Sequence, residues 1–201
     1  DYYMLLDVSA SVSPEYFAQM KESILDFWRS MGAKDKISLI TFGNTVTVVF
    51  QDQTAADDIS GAVNGLQNPD QTTCLFEAIE KTAKLADTKE EASVRKVAVA
   101  ITDGEDFSEN TSTKEEALAT LKEKMIPLYA MAAKEDKQGM ENAYLDSMGA
   151  FVRESGGVME VFDAGNAVLK MQGLHQTFQE AFLLPARAKT NVVDHKKKAL
   201  T

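Results

Sequence analysis

A chain of 201 residues, 44% hydrophobic and 26% charged, is long enough for one α/β domain with a small appendage and has the composition of a soluble globular protein. Its formal charge of −10 argues against nucleic acid or an anionic membrane as the main partner and suits cations or basic surfaces better. A single cysteine, Cys74, excludes an internal disulfide and a thiolate zinc cluster, and no apolar run reaches the length of a membrane span, so no direct membrane insertion is expected.

The chain opens on an apolar run, residues 2–8, that reads as a buried strand. Ser13 then has the character of an N-cap with Pro14 at the first helical position, and Phe17, Met20, Ile24, Phe27 and Met31 recur at helical spacing up to Gly32. Residues 36–42 form a second strand; Gly43-Asn44 signals a turn, and the alternation over 45–50 makes the pair a hairpin. Helices are expected at 54–65 and 75–87, and the continuous apolar run 96–102 has the pattern of a central parallel strand covered on both faces. Ser112 and Glu115 suggest a capping box for a helix to about residue 124. A strand at 126–133, a helix at 141–155, a short strand at 158–162 and a last helix at 165–182 complete the series.

This alternation implies a Rossmann-like α/β fold: an open, mostly parallel six-stranded sheet with one antiparallel edge strand and helices on both faces. Residues 1–184 form the domain. Pro185 ends the last helix, and residues 185–201, with the basic run Lys196–Lys198, read as a linker or the start of a following module.

In such a sheet ligands bind beyond the carboxyl ends of the strands. Asp7 ends the first strand and Asp103 follows the strand 96–102, so if the two strands are neighbours both carboxylates reach one crevice. Converging acids require a cation, a shared proton or a basic partner. Ser9 and Ser11 follow Asp7 at alternate positions and point the same way in extended backbone. Carboxylates, hydroxyls and water make a hard-oxygen set suited to Mg²⁺, Mn²⁺ or Ca²⁺, although Asp and Ser at this spacing also occur in turns and caps. Zinc is disfavoured, because neither His175 nor His195 lies near the acids in sequence.

Taken together, these residues resemble the von Willebrand factor type A domain. Its metal-ion-dependent adhesion site reads D-x-S-x-S after the first strand, a Thr in mid-chain, and an Asp in a T/S-D-G turn after the fourth strand. The matching residues are Asp7-Val8-Ser9-Ala10-Ser11, Thr73 in TTCLFEAI, and Asp103-Gly104 in ITDGED. The hairpin LITFGNTVTVVF is similar to the family's second and third strands, and the resemblance covers about residues 1–182. It implies a metal set of Asp7, Ser9, Ser11, Thr73 and Asp103 around Mg²⁺ (or Mn²⁺/Ca²⁺), some residues acting through water. The family commonly has Gly before its Thr; here Thr72 stands there, leaving two adjacent hydroxyls for one role. Cys74 reads as a buried small hydrophobe.

The resemblance further implies a divalent-cation-dependent protein-binding module without catalysis, in which a partner's Asp or Glu carboxylate completes the coordination. The isolated domain is expected to be monomeric and part of a larger bacterial cell-surface or secreted protein, with a cytoplasmic setting as the alternative. The rival function is a Mg²⁺-dependent hydrolase or phosphoryl-transfer enzyme using strand-end acids. It lacks a second Asp two residues after Asp7 and a G-x-x-x-x-G-K-[ST] loop; a receiver-type variant would call on Lys134. Glu105, Asp106 and Glu109 read as a solvated acidic rim, Phe107 as either a partner anchor or an inward-packed loop residue, and Trp28 as core or helix-flank packing. In some family members the last helix shifts when the site changes state, and nothing in this sequence signals such a switch.

Overall fold

The computed structural model describes residues 1–87, 94–103, 112–134 and 141–180. Six strands, β1 (Tyr2–Asp7), β2 (Ile37–Phe42), β3 (Val46–Gln53), β4 (Val97–Thr102), β5 (Leu128–Ala133) and β6 (Met159–Phe162), form one sheet in the order β3-β2-β1-β4-β5-β6. Every neighbouring pair is parallel except β2–β3, as the hairpin signal at Gly43-Asn44 requires.

β1 is buried along its whole length because alternate residues serve two cores. Tyr2, Met4 and Leu6 join one cluster with Phe17, Met20, Ile24 and Phe27 of α1 (Pro14–Arg29), Val63 of α2 (Ser60–Asn64), and Met171, Leu174 and Phe178 of a last helix, α6, at 167–180. Tyr3 and Leu5 join the other with α3 (Leu75–Asp87), α4 (Lys114–Glu123) and α5 (Glu141–Ser155). A strand facing helices on both sides must be apolar at consecutive positions, which is the pattern of β1, β4 and β5.

Local chemistry sets the element ends. The Ser13 hydroxyl accepts the Tyr16 N–H at 3.5 Å, and Pro14 starts α1. Residues 54–59, expected within a helix, instead make turns: the Asp57 carboxylate accepts both the N–H and the hydroxyl of Thr54, and Asp58 accepts the Ser60 N–H. Short acidic side chains that satisfy nearby backbone donors compete with the helix, so α2 shrinks to Ser60–Asn64. The capping box also moves by one residue. Thr113 Oγ1 accepts the Glu116 N–H at 3.2 Å, and Glu116 accepts the Thr113 N–H at 2.9 Å. Ser112 donates to Glu80 instead. The sequence Ser112-Thr113-Lys114-Glu115-Glu116 contains two overlapping cap patterns, and the register adopted is the one that buries Ala117 and Leu121. Trp28 is half-buried on the flank of α1, with its indole N–H donated to the Thr54 carbonyl at 3.1 Å.

Phe178, Met171 and Leu174 are all buried, so α6 is integral to the domain core. The expected linker at 185–201 and the acidic residues Glu105, Asp106 and Glu109 with Phe107 lie outside the described residues.

Candidate metal centre

The chain leaves β1 toward β2 on one side and returns as β4 on the other, so the strand order reverses beside β1. A crevice opens at such a switch point beyond the strands' carboxyl ends. Leu6 pairs with Ile101, which carries Asp7 alongside Thr102 and puts Asp103 one residue further along the rim. Asp7 is 0% exposed and Asp103 8%.

Asp7 Oδ1 accepts the Ser9 N–H at 2.9 Å, and Oδ2 accepts the Thr102 hydroxyl at 2.6 Å. Both bonds favour the carboxylate. Burial and then the charge of Asp103 outweigh them and push the Asp7 carboxyl up to about 7. Its hydrogen-bond partners among the described residues are neutral, so its charge is balanced by no lysine or arginine there.

Ser9 is buried and Ser11 partly so, and their hydroxyl oxygens meet at 2.7 Å. The two hydroxyls meet although residues 10–12 make a turn, with the Val12 N–H donated to the Ser9 carbonyl, and not the extended backbone that the alternate spacing suggests. The bend is held by a neighbouring segment. Asp70 N donates to the Val8 carbonyl, and Ala10 N donates to the Asp70 carbonyl at 2.7 Å, a short parallel bridge. The Asn68 side chain donates to the carbonyls of Ser9 (3.3 Å) and Val12 (2.7 Å). The segment 68–70 is therefore bound to the loop that carries Ser9 and Ser11, three residues before the buried Thr73, which precedes α3.

The two adjacent threonines part company. Thr73 is 1% exposed, whereas Thr72 is exposed and its hydroxyl donates to Asn44 Oδ1 at 2.9 Å. Cys74, 0% exposed, is a buried small hydrophobe in the second core cluster. His175 lies in α6 among Tyr2, Phe27 and Phe178, remote in the fold from the acids at the other end of β1. Lys134 is exposed and its backbone is tied to Tyr16 and Phe162.

The donor chemistry fits a hard divalent cation. Two buried carboxylates with like charge, and hydroxyls without protein cations beside them, are costly until a positive charge arrives. Among the described residues no group of three or more His, Cys, Asp and Glu could hold a metal, so the set is poor in charged ligands and rich in hydroxyls. Thr102, Asn68, Asp70 and Asn44 escaped the sequence reading. Thr102 sits directly before Asp103, but its bond to Asp7 depends on the β1–β4 register, which no local pattern encodes. Asn44 was legible only as a turn residue.

The family model of the von Willebrand factor type A domain matches residues 1–167. No curated protein matches the sequence. Among solved structures, an aerotolerance-related membrane protein from Bacteroides fragilis, with multiple mutations to serines, is similar at 19% identity and a TM-score of 0.67 over 89% of this chain and 98% of that one. The manganese-loaded TRAP protein of Plasmodium vivax is similar at 18% identity and a TM-score of 0.61, over 85% of this chain and 71% of that one. Proximal thread matrix protein 1 from the mussel byssus, with a zinc-occupied MIDAS motif, gives 18% and 0.65 over 86% of this chain but only 45% of that one. These likenesses are of fold, and they agree with the strand order and the single antiparallel edge seen here. The chain belongs to the von Willebrand factor type A domain family.

Proposed function

We propose that this domain is a divalent-cation-dependent protein-binding module. Asp7, Ser9, Ser11, Thr73 and Asp103 hold Mg²⁺ (or Mn²⁺/Ca²⁺), and an Asp or Glu carboxylate of a partner protein completes the coordination. One observation carries the reading: a buried carboxylate, Asp7, faces a second one, Asp103, at the switch point of the sheet, beside two hydroxyls that converge to 2.7 Å. A divalent cation bound there balances the two carboxylates and offers an open position that a partner's carboxylate can fill. With only two carboxylates in the set, the loaded site is formally neutral and not negative, and the ion, otherwise held by neutral hydroxyls, stays electrophilic toward a third acid. Thr102 and the Ser9 N–H fix the two Asp7 oxygens, so the carboxylate is oriented before the ion arrives.

The sequence has no phosphate-cradling G-x-x-x-x-G-K-[ST] loop, and the hydrolase reading has no observation that favours it over binding. The metal-loaded relatives, in which manganese and zinc are bound, support a divalent ion without selecting Mg²⁺. We further place the domain in a larger bacterial surface or secreted protein, in keeping with the membrane protein among its structural relatives; among the described residues no helix is long and apolar enough to cross a membrane.

The test is calorimetric titration of Mg²⁺ into the metal-stripped domain and its Asp103→Asn variant. Saturable binding that is lost in the variant is the expected result; unchanged affinity in Asp103→Asn removes that residue from the set. Capture of a carboxylate-bearing partner is expected to need Mg²⁺ and to be reversed by EDTA, and EDTA-resistant capture would assign binding to another surface.

A further inference from the structure

The turn between β2 and β3 reaches across the site's edge. Asn44 Oδ1 accepts three donors from one short segment: the N–H of Gln71 (3.0 Å), the N–H of Thr72 (3.0 Å) and the hydroxyl of Thr72 (2.9 Å). All three neighbours are donors, so the amide oxygen, and not its NH₂, must face them. The Asn44 N–H in turn donates to Asp70 Oδ2 at 2.7 Å. Gly43 leaves room for this contact: a Cβ there would lie 2.3 Å from Asp70 Oδ2. The turn and the segment 70–72 are thus joined by four hydrogen bonds at a place where no strand pairing requires them.

We propose that Asn44 is a positioning residue of the metal centre, gathering Gln71 and Thr72 so that the Thr72 hydroxyl is turned away and Thr73 is the one presented to the cation. The inference rests on the metal-binding reading given above. Two adjacent threonines offer equivalent hydroxyls, and a chain free to rotate at this point would present either. Asn44 breaks the tie by engaging Thr72 through both backbone and side chain. Asp70 is held through its backbone by Val8 and Ala10 and through its carboxylate by the Asn44 backbone N–H, contacts that do not depend on the Asn44 side chain.

The experiment is Mg²⁺ titration by calorimetry on the metal-stripped domain, with folding checked by circular dichroism. The set comprises wild type, Asn44→Ala, Asn44→Gln, Asn44→Asp, Thr73→Ala and the double variant Asn44→Ala/Thr73→Ala. Asn44→Ala is expected to weaken Mg²⁺ about tenfold, the usual scale for losing a group that orients a ligand. Asn44→Gln, which keeps the amide but displaces its oxygen by one methylene, is expected to do the same and carries the test if the alanine variant does not fold. Asn44→Asp keeps an acceptor for all three donors and is expected to stay within about threefold of wild type. In the Thr73→Ala background, Asn44→Ala should cost nothing more, because it acts through that hydroxyl. Wild-type affinity in Asn44→Ala or Asn44→Gln, or a tenfold loss that persists without Thr73, overturns the positioning role. Absence of Mg²⁺ binding by the wild type, or Thr73→Ala binding as tightly as wild type, overturns the metal-binding reading beneath it.

Discussion

The two ends of β1 bury ionisable groups with opposite outcomes. At its carboxyl end lies Asp7, whose ordinary value of 3.8 is pushed up to about 7 by burial and Asp103. Near Tyr2 at the other end lies His175, 4.6 Å from the Phe27 ring centroid and 6.4 Å from that of Phe178. Burial lowers the His175 value, opposed by the charge of Asp35, and burial is also the main reason the Tyr2 hydroxyl rises to about 12. Desolvation favours the neutral form in every case. A histidine reaches that form by itself near neutral pH, and its surroundings are complete: Ser30 donates to the Phe27 carbonyl, so its oxygen accepts from Nδ1–H, while the Gln179 amide donates to Nε2. Asp7, pushed up to about 7, is still mostly ionised at pH 8. On the proposed reading, one end is finished by the protein alone and the other by a cation from outside.

The sharpest way to break this contrast is Asp7→Asn. The amide can still accept from Ser9 and can donate to Thr102, so the fold should persist while calorimetric Mg²⁺ binding disappears. The metal-free variant should also be more stable than wild type at pH 8. Between its ordinary value of 3.8 and about 7 the folded chain retains a proton the unfolded chain has released, so ionised Asp7 costs stability above pH 7 and that cost vanishes as pH falls. Each unit is worth about 1.4 kcal/mol, which bounds the gain at roughly 4 kcal/mol. A denaturation midpoint below wild type at pH 8 would show that Asp7 stabilises the metal-free fold.

The opposite end should respond in reverse. Phe178→Ala is expected to cost about 3–5 kcal/mol in urea denaturation, because it opens a cavity in the first core cluster. At a temperature where it stays folded, Mg²⁺ affinity should remain within about twofold; a larger change would mean the two ends are coupled. Acid separates them next. Metal binding needs ionised Asp7, so Mg²⁺ affinity should fall about tenfold for each pH unit below about 7, measured from pH 7.5 to 5.5. His175 acts with the other sign: its folded value is lowered, so the unfolded chain takes up the proton first, and the stability it contributes fades as pH drops below the ordinary 6.5. The smallest effect is expected from Ser30→Ala, which removes the Nδ1 acceptor and should cost about 1 kcal/mol with Mg²⁺ affinity unchanged.

Much of this was written in the sequence in plain periodicity. The continuous apolar runs at β1, β4 and β5 announce strands buried on both faces, and the acids at the ends of β1 and β4 announce the crevice. What escaped depends on contacts between distant segments. Thr72 and Thr73 are chemically equivalent until Asn44, 28 residues away from Thr72, captures one of them. Thr102 reads as the last residue of a strand, and only the β1–β4 register makes it a partner of Asp7. The helix foreseen at 54–65 failed where Asp57 and Asp58 satisfied their own neighbours, and the cap at Ser112 lost to Thr113 because the apolar face of α4 decided the register.

Trp28 is the single tryptophan of the chain. Its indole is bonded to Thr54 near the end of α1, a 16-residue helix whose first turn begins beside the loop carrying Ser9 and Ser11. At 1.5 Å per residue the fluorophore stands roughly 21 Å along the helix from its first residue, Pro14. Its emission therefore reports unfolding and the docking of the turn after β3, and a metal titration that leaves the domain's shape unchanged should pass unseen by it. The protein carries an internal optical reference with which occupancy and integrity of the fold can be read separately in one cuvette.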